Sequence, residues 1–314
     1  MDITIRRATA TDYSAIVAVG WQATADFGLT VEDLHFADQQ RRPTIAGRLV
    51  AVTPAGEIIG TASYGQSAPA ADPGKFNVWF HVLPHRQGEE IGKRLYNRVI
   101  AALAPHRPHV LETGVRSDLP RAVRFLQERG FAEVSRECET QLDLQTFDPE
   151  HFVADVERVE EMGIALKRLI ELTGDLGRDA KLHALHTRHH EVGMAHTAPA
   201  PFAEWQHTFW QNPQLHPAAF AIAIDGEQYI GHSHTLLGDA SELSYGYTGV
   251  LPAYRNRGIA RAMKWCVLAW AKAQGYTAVR SWSDSRNAAM IRVNLSLGFA
   301  VQPPVLWMEK GWPE

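Results

Sequence analysis

The chain has 314 residues, an apolar fraction of 45% and a formal net charge of −4 at pH 7. This length suggests about two domains, and the slightly acidic balance argues against a broad nucleic-acid-binding surface. The two cysteines lie far apart, and there is neither an apolar leader nor a run of about 18 apolar residues, so we expect a cytoplasmic protein without a membrane span.

The first part of the chain alternates predicted strands and helices. Hydrophobic periodicity and turn residues predict strands at 2–7, 47–52, 58–64, 76–83 and 110–115, and helices at 11–27, 91–103 and 120–129. Gly130 and Phe131 then open a final pair of strands that ends near residue 144.

The second part of the chain repeats this order. It has predicted strands at 164–172, 219–224, 228–237, 243–250 and 278–282, and helices at 178–192, 202–211, from 259, and at 287–297. Pro84 and Pro252 are separated by 168 residues, and so are Gly130 and Gly298. A repeat of this length indicates duplicated domains, because solenoid units span only about 20–50 residues.

We therefore predict two domains. The first covers residues 1–144, a connector covers 145–162, and the second domain covers 163–314. The connector is acidic and is not rich in Gly or Ser, which favours a short helix over a flexible linker.

The stretch from Tyr247 to Arg261 carries the strongest functional signal. Its strand ends at Pro252, and apolar residues at helical spacing predict a helix from Ile259 with one buried face. Gly258 lets the backbone come close to a ligand, while the unpaired N–H groups at the start of the helix favour an anion. Three arginines, at positions 255, 257 and 261, add positive charge.

This loop resembles motif A of the GNAT N-acetyltransferase superfamily, [QR]-x-x-G-x-[GA], with Arg255, Gly258 and Ala260 at its fixed positions. The resemblance implies that the loop amides hold the pyrophosphate of acetyl-coenzyme A, the co-substrate. It also implies a tandem GNAT protein of the mycothiol-synthase type, in which each α/β (α+β) domain has a mixed, mostly antiparallel, splayed sheet flanked by helices.

In this fold the strand 243–250 parts from its neighbour. We expect backbone N–H groups near Gly249 and Val250 to face the ligand, where one can act as an oxyanion donor, and Thr248 and Val250 to line the pantetheine channel or simply the core. The predicted cofactor-binding residues are Thr248, Gly249, Val250, Arg255, Asn256, Arg257, Gly258, Ile259, Ala260, Arg261 and Asn287.

The two copies of the loop are not equivalent. In the first copy Glu90 stands where the second has Gly258. A carboxylate repels a pyrophosphate, and a Cβ atom blocks close approach. The first domain is therefore expected to be degenerate in cofactor binding, unless a shifted loop uses Gly88, and the second domain to be catalytic.

Asn287 to Phe299 resembles motif B of the same family. Asn287 can cap the following helix or also touch the pantetheine arm. Many family members have a Tyr seven residues further on that protonates the leaving thiolate, whereas this chain has Asn294. An amide has no phenol proton to give, so Asn294 is a candidate only as a hydrogen-bond donor to the sulfur or thioester.

The general base has several candidates. Glu242 lies at the entry of the strand 243–250, where family bases are often found, and Tyr247 or Tyr245 on the same strand can relay a proton through water. His232 and His234 compete for the role because their ordinary pKa lies near neutrality. The predicted catalytic residues are Glu242, Tyr247 and Asn294.

The acceptor is expected to rest near two helices. The helix 178–192 carries four histidines, which favour a polar wall of the acceptor cleft over a metal site, and no metal is predicted. The aromatic stretch 194–210 is the expected resting place of the acceptor or else packing. Asp284 is a candidate partner for a cationic acceptor.

The resemblance implies an acetyl-CoA-dependent N-acetyltransferase that moves an acetyl group to a primary amine of a small molecule by direct attack in a ternary complex. The alternative is an acyl-CoA-sensing or ligand-sensing pseudoenzyme, which the missing Tyr favours. A nucleotide-binding α/β protein is disfavoured because its Gly-rich motifs are absent. We expect no nucleic-acid or membrane partner, and either a monomer built as an intramolecular pseudo-dimer or a homodimer.

Overall fold

The computed structural model describes residues 2–24, 29–39, 45–68, 72–193, 200–238 and 241–312. The chain divides into two compact units: unit 1 comprises Met1–Arg136 and Pro304–Glu314, and unit 2 comprises Glu137–Pro303. Each unit has its own hydrophobic core. No helix in the described ranges is both long enough and apolar enough to cross a membrane.

Unit 1 is a mixed sheet covered by helices. Its strands are Thr4–Arg7 (β1), Ala46–Val52 (β2), Ile58–Ala68 (β3), Asp72–Val82 (β4), Val110–Arg116 (β5) and, from the end of the chain, Val305–Gly311, labelled β13. Its helices are Tyr13–Ala23 (α1), Val31–Gln39 (α2), Ile91–Leu103 (α3) and Pro120–Gln127 (α4). The sheet order is β1-β2-β3-β4-β5-β13, and its pairs are antiparallel except for β4 with β5.

Unit 2 has the same design. Its strands are Ala132–Asp143 (β6, from Glu137 onward), Ile164–Arg168 (β7), Leu215–Asp225 (β8), Gln228–Leu237 (β9), Glu242–Val250 (β10), Ala278–Asp284 (β11) and Ala300–Val301 (β12). Its helices are Val153–Glu161 (α5), Arg178–Gly193 (α6), Phe202–Gln211 (α7), Ile259–Ala273 (α8) and Ala288–Ser296 (α9). The sheet order is β6-β11-β10-β9-β8-β7, with β10 and β11 parallel and β12 beside β6.

Helix α8 positions the candidate site because it is anchored deep in the core of unit 2. Ile259, Met263 and Val267 recur on one face of α8 and are at most 2% exposed. They lie in one cluster with Phe220 and Ile222 of β8. Burial of each such side chain contributes about 1.5–3 kcal/mol, so α8 is held firmly against the sheet.

The last strand of each unit comes from an unexpected part of the chain. Strand β13 pairs with β5 in unit 1, whereas residues 137–143 of β6 pair with β11 in unit 2. The compact units therefore differ from the predicted ranges 1–144 and 163–314 at these two strands. Strand pairing is non-local, so hydrophobic alternation alone does not reveal which sheet a strand joins.

The predicted repeat register is reproduced locally in both units. Helices α3 and α8 begin at Ile91 and Ile259, which are 168 residues apart, and β5 and β11 begin at Val110 and Ala278 with the same spacing. The prediction for 164–172 was too long for a strand, because residues 169–172 form a 3₁₀ turn.

Helix α2 was missed by the sequence analysis. Leu34 is its one fully buried side chain, so it carries no apolar stripe that periodicity could detect. A start signal was present, however. The Thr30 hydroxyl accepts from the Asp33 amide at 3.1 Å while Asp33 accepts from the Thr30 amide at 2.8 Å, which is a reciprocal cap.

Candidate active site

The candidate site is built around a fork between β10 and β11. These parallel strands pair through residues 242–244 of β10 and 278–280 of β11. Beyond Ser244, β10 continues beside β9 as far as Val250, while β11 continues beside β6 as far as Asp284. The two strands part at this point and leave a wedge between them, as the sequence analysis expected.

Backbone amides of β10 point into this fork. The Leu251 N–H donates to the Ile230 carbonyl at 2.8 Å, toward β9. Since N–H groups alternate along a strand, the amides of Val250 and Thr248 face the fork, whereas that of Gly249 faces β9. The prediction that amides near Gly249 and Val250 face the ligand therefore agrees with the geometry for Val250 and not for Gly249.

The loop after β10 leads directly into α8. Asn256 and Gly258 adopt left-handed backbone conformations, with φ of 62° and 81°. The Ala262 amide makes the first helical hydrogen bond, to the Gly258 carbonyl at 3.0 Å. Within the described residues, the amides from Asn256 to Arg261 have no backbone acceptor, so this helix start is suited to an anion.

The surroundings of Gly258 are open. A Cβ atom at this position would have Val159 Cγ2, 4.0 Å away, as its nearest neighbour in the described residues. The required φ of 81° suits glycine, and the free space above the backbone suits a ligand that approaches closely. The loop therefore has the shape that a bound diphosphate requires.

The three loop arginines differ in how much positive charge they can offer to an anion. The Arg255 Nε atom donates to the Val250 carbonyl at 3.1 Å and braces the end of β10. The Arg257 guanidinium lies 5.4 Å from the centre of the Tyr254 ring. Arg261 is ion-paired with Asp155 of α5, which offsets part of its charge. The exposed Arg255 and Arg257 are thus the better placed to attract an anion.

The equivalent loop in unit 1 has the same backbone and different chemistry. Gly88 and Glu90 have φ of 96° and 58°, matching the left-handed pair in unit 2. Glu90, and not Gly88, therefore lies directly before α3 in this structure, and cofactor binding through Gly88 stays an untested alternative. The Glu90 carboxylate is ion-paired with Lys93 at 2.9 Å, and Lys93 lowers its pKa, so a negative charge lies at the start of α3.

The family model for the acetyltransferase (GNAT) family matches residues 18–131 and 182–299. The chain belongs to the GNAT family. Because the family model matches two separate stretches, the predicted tandem GNAT arrangement and fold class are confirmed. Acetyl-CoA, the predicted co-substrate, fits this assignment.

Solved GNAT structures share the whole fold at low sequence identity. A GCN5-related N-acetyltransferase from Sphaerobacter thermophilus is 18% identical, with coverage of 98% of this chain and 95% of that chain and a TM-score of 0.71. A tandem GNAT protein from the clavulanic acid biosynthesis pathway is 17% identical, with full coverage of both chains and a TM-score of 0.72. No curated protein matches this chain. At these identities the likeness shows the GNAT fold alone.

Glu242, a predicted base of this GNAT site, is engaged in an ion-pair network. Arg280 donates to Glu242 at 3.0 Å and to the fully buried Glu139 at 3.1 Å. Glu242 also lies in the part of β10 that is still paired with β11, opposite Ala278, before the two strands separate. Both features count against Glu242 as the base for chemistry at the fork, and its catalytic role stays a prediction.

Tyr247, another predicted catalytic residue, lies flat against β10. A Cβ atom on Gly249 would come within 2.5 Å of Tyr247 Cε1 and 2.6 Å of its hydroxyl. A side chain at position 249 would collide with the Tyr247 ring, which explains why glycine occupies this position. Burial raises the pKa of Tyr247, with Arg255 opposing the shift, so the phenol keeps its proton at neutral pH.

Four histidines form a cluster beside Tyr247 on the face of the sheet that α6 covers. The ring centres of His189 and His232 lie 5.2 and 5.0 Å from that of Tyr247, and those of His186 and His234 lie 5.0 and 5.6 Å from that of His232. We call His186, His189, His232 and His234 the imidazole cluster. The sequence places His232 and His234 on one strand and His186 and His189 on one helix, but no local pattern indicates that α6 packs against β9 and brings the four rings together. Among the described residues, no group of side chains is arranged to hold a metal ion.

Acid is expected to destabilise the fold through this cluster. Burial lowers the pKa of His234 to about 3 and that of His232 well below its ordinary value. The unfolded chain then binds more protons between about pH 6.5 and 3, so the free energy of unfolding falls as the pH falls, by up to about 1.4 kcal/mol per pH unit for each ring.

Urea unfolding followed at pH 7, 6 and 5 measures this slope. The variant His234→Gln should flatten it, whereas His207→Gln, which replaces an exposed histidine of α7, should leave it unchanged. Equal slopes for His234→Gln and the wild type would show that His234 is not held neutral.

The side chains of Asn287 and Asn294, the predicted residues of motif B, form hydrogen bonds within unit 2. The Asn287 side chain accepts from the Met290 amide at 3.2 Å, so it caps α9 as expected. The fully buried Asn294 donates from Nδ2 to Thr140 at 3.0 Å and to Ser281 at 3.1 Å. Both amide hydrogens are thus occupied, and only Oδ1 remains, which can accept but not donate.

The other acceptor-side predictions have mixed outcomes. Asp284 is paired with Arg286, which lowers its pKa to about 2, so its charge is already partly compensated. His183 contacts the Ala200 carbonyl at 2.9 Å and its ring centre lies 5.2 Å from that of Trp205, which ties α6 to α7. Residues 194–199 of the expected acceptor stretch, and the side chain of His190, lie outside the described part of the chain.

Proposed function

We propose that this GNAT protein transfers the acetyl group of acetyl-CoA to a primary amine of a small molecule, by direct attack in a ternary complex in unit 2. The observation that carries the proposal is the contrast between the two loops. Unit 2 offers unpaired amides beside an open Gly258, whereas unit 1 presents the Glu90 carboxylate at the same backbone position. Diphosphate oxygens are favoured by the first arrangement and repelled by the second.

On the cofactor side, the predicted binding residues divide into backbone and side-chain roles. The amides of Asn256 to Arg261 would hold the diphosphate, with Arg255 and Arg257 supplying charge. The fork-facing amide of Val250 would meet the pantetheine arm, and that of Thr248, which lies nearer the base of the fork, would meet the thioester carbonyl. A donor aimed at the developing oxyanion contributes about 3–4 kcal/mol to catalysis. The Val250 side chain itself is 7% exposed and belongs to the core.

On the acceptor side, Tyr247 and the imidazole cluster are the groups best placed to move a proton. Neutral imidazole has one donor and one acceptor nitrogen, so the cluster can relay a proton along its rings; His232 and His234, whose pKa burial lowers, pass a proton on and do not hold it. The Tyr247 ring packs against His232 of this cluster, and the positive charge of Arg255 in the loop acts on the pKa of the Tyr247 phenol. We therefore assign the acid–base role to Tyr247 with the cluster, ahead of Glu242.

The second candidate is a protein that senses acyl-CoA without turnover. The observation that favours it is the state of Asn294, which replaces the phenol of many GNAT enzymes and has both amide hydrogens committed to Thr140 and Ser281. Without another proton donor, the thiolate would have to leave unprotonated, which slows the reaction. Release of coenzyme A is the property that separates the two candidates.

The test is release of free thiol from acetyl-CoA in the presence of a panel of small amines. We expect release that depends on an amine, and a loss of about 100-fold in kcat for Tyr247→Phe, since a positioned acid–base group contributes about 10²–10⁴-fold. The affinity for acetyl-CoA should persist in Tyr247→Phe because the ring is retained.

Tyr276→Phe is the matched control, because it removes a phenol hydroxyl from unit 2 just before β11 begins, at the end of that strand where β10 and β11 are paired, and the Tyr276 ring packs against Trp270. It should react like the wild type. Binding of acetyl-CoA without thiol release for any amine would favour the sensor. Normal turnover by Tyr247→Phe would remove Tyr247 from the mechanism while leaving the acetyltransferase proposal intact.

Two further predictions accompany the function. A cytoplasmic location is favoured by Cys138 and Cys266, which are free thiols. The net charge of −4 favours a protein without a nucleic-acid partner, and we propose a monomer or a homodimer that has no membrane partner.

A further inference from the structure

Helix α8 carries a lysine in its buried face. Lys264 is 1% exposed, and its Nζ atom lies 3.2 Å from the centre of the Tyr245 ring and 5.5 Å from that of Phe299. Among the described residues, no oxygen atom accepts a hydrogen bond from this ammonium group, and no carboxylate pairs with it. Lysines are rarely buried without a partner, because burial of an unpaired charge costs free energy of folding. A lysine at this position is therefore a candidate for a functional role.

Lys264 lies at the point where β10 and β11 separate. Tyr245, whose ring it contacts, directly follows Ser244, the last residue of β10 that pairs with β11. The Tyr245 hydroxyl also donates to the Lys264 carbonyl at 3.1 Å, which fixes α8 against this part of β10. The lysine is therefore positioned at the base of the fork, on the side of α8.

Asn294 of α9 lies at the base of the fork on the side of the other strand, β11. Its Nδ2 atom donates to Ser281, which directly follows Arg280, the last residue of β11 that pairs with β10. Phe299, which follows α9 and donates its amide to the Asn294 carbonyl at 3.2 Å, contacts Lys264 as well. Helices α8 and α9 thus bring a cation and a hydrogen-bond acceptor to the two sides of the fork.

We propose that Lys264 is the general acid that protonates the leaving thiolate of coenzyme A. The inference rests on the proposed function, because it requires the thioester to lie at the base of the fork in unit 2. Asn294, whose amide hydrogens are occupied, then has a positioning role, with its Oδ1 atom free to accept from the protonated ammonium or from the new thiol.

The proton balance of the step is simple. The acceptor nitrogen forms a bond to the acetyl carbon while the carbon–sulfur bond breaks, and both electrons of that bond go to sulfur. The Lys264 ammonium gives its proton to sulfur and becomes a neutral amine. The acceptor nitrogen loses one proton to the imidazole cluster or to water, and Lys264 regains a proton from water before the next cycle.

The environment of Lys264 suits this exchange. Burial lowers the pKa of Lys264 well below its ordinary value, while the face of the Tyr245 ring favours the charged form. A lowered pKa makes the Lys264 ammonium a stronger acid toward a leaving thiolate than the ammonium of an exposed lysine. Among the described side chains, Tyr245 is the titratable group in contact with Nζ, and burial raises its pKa well above the ordinary value, so it stays protonated.

The test compares Lys264→Met and Lys264→Arg with the wild type. Methionine keeps a long, flexible side chain without charge, and arginine keeps a cation on the Tyr245 ring but cannot release a proton. A purely structural cation would be replaced by arginine, whereas a general acid would not. We expect both variants to bind acetyl-CoA as the wild type does and to lose about 100-fold in kcat for thiol release.

A second acetyl donor makes the test independent of folding. p-Nitrophenyl acetate loses a phenolate that needs no proton, so acetylation of the amine from this ester should fall less than threefold in both variants. The alkaline fall in kcat with acetyl-CoA, which reports loss of the Lys264 proton in the wild type, should be absent from the residual activity of Lys264→Met.

The outcomes separate the two proposals. Wild-type turnover together with normal kcat for Lys264→Arg or Lys264→Met overturns the role of Lys264 and leaves the acetyltransferase intact. Equal losses with both acetyl donors show a structural lysine and overturn the proposal too. If the wild type releases no thiol with any amine, the proposed function fails, and the role of Lys264 fails with it.

Discussion

Gly258→Glu is expected to weaken acetyl-CoA binding by at least about 100-fold, which is about 2.7 kcal/mol. The substitution places a carboxylate among the amides that would hold the diphosphate, as Glu90 does in unit 1. Two like charges about 4 Å apart repel each other by about 4 kcal/mol at the edge of a protein. The fold should survive, because the space around Gly258 is open and Glu90 already adopts a similar backbone conformation.

Calorimetric titration with acetyl-CoA measures the effect, and two matched variants separate its causes. Gly258→Gln has the same shape without the charge, so it reports the cost of the Cβ atom and the left-handed backbone alone. Glu90→Gln removes the equivalent charge from unit 1 and should leave the affinity unchanged. If Gly258→Glu binds acetyl-CoA as tightly as the wild type, the cofactor site lies elsewhere and the division of roles between the units is wrong.

Removal of residues 304–314 is expected to open unit 1 while leaving unit 2 folded. Strand β13 pairs with β5 along its whole length, and it places Leu306 and Met308 in the core of unit 1, where they are 7% and 1% exposed. Loss of one such side chain costs about 2–5 kcal/mol, so loss of both together with the backbone pairing is comparable to the about 5–15 kcal/mol that stabilises an ordinary domain.

Hydrogen exchange read by mass spectrometry distinguishes the units. In the truncated chain, peptides of β5 and β3 should exchange fast, whereas peptides of α8 should stay protected. Met308→Ala should show the same pattern in milder form, and Val301→Ala, which alters a side chain that is 59% exposed, should show no change. Faster exchange in α8 than in β5 would mean that β13 stabilises unit 2 instead.

The parts of the fold that the sequence predicted are those set by local chemistry. The loop before α8 depends on a glycine with positive φ, an arginine and a helical apolar stripe, all within a few residues. The copy before α3 was recognised by its constant offset. Asn287 was predicted as a helix cap and is one, because capping needs only the residue and the helix that follows.

The parts that escaped prediction depend on distant partners. The pairing of β13 with β5 joins residues that are almost 200 positions apart, and no local pattern encodes it. Lys264 interrupts an otherwise apolar helix, which was the available signal, but its contact with Tyr245 is visible only in the folded chain. The imidazole cluster likewise forms because α6 packs against β9.

Strand β13 belongs to unit 1 but is synthesised last, so the ribosome completes unit 2 before the sheet of unit 1 can close. Unit 1 lacks a strand of its sheet until residues 137–303 have been made, and at about 5–20 residues per second that interval lasts on the order of 10–30 s. For that time β5 presents an unpaired edge that a strand from another nascent chain can occupy. A high density of ribosomes on the message is therefore expected to raise the fraction of strand-exchanged dimers.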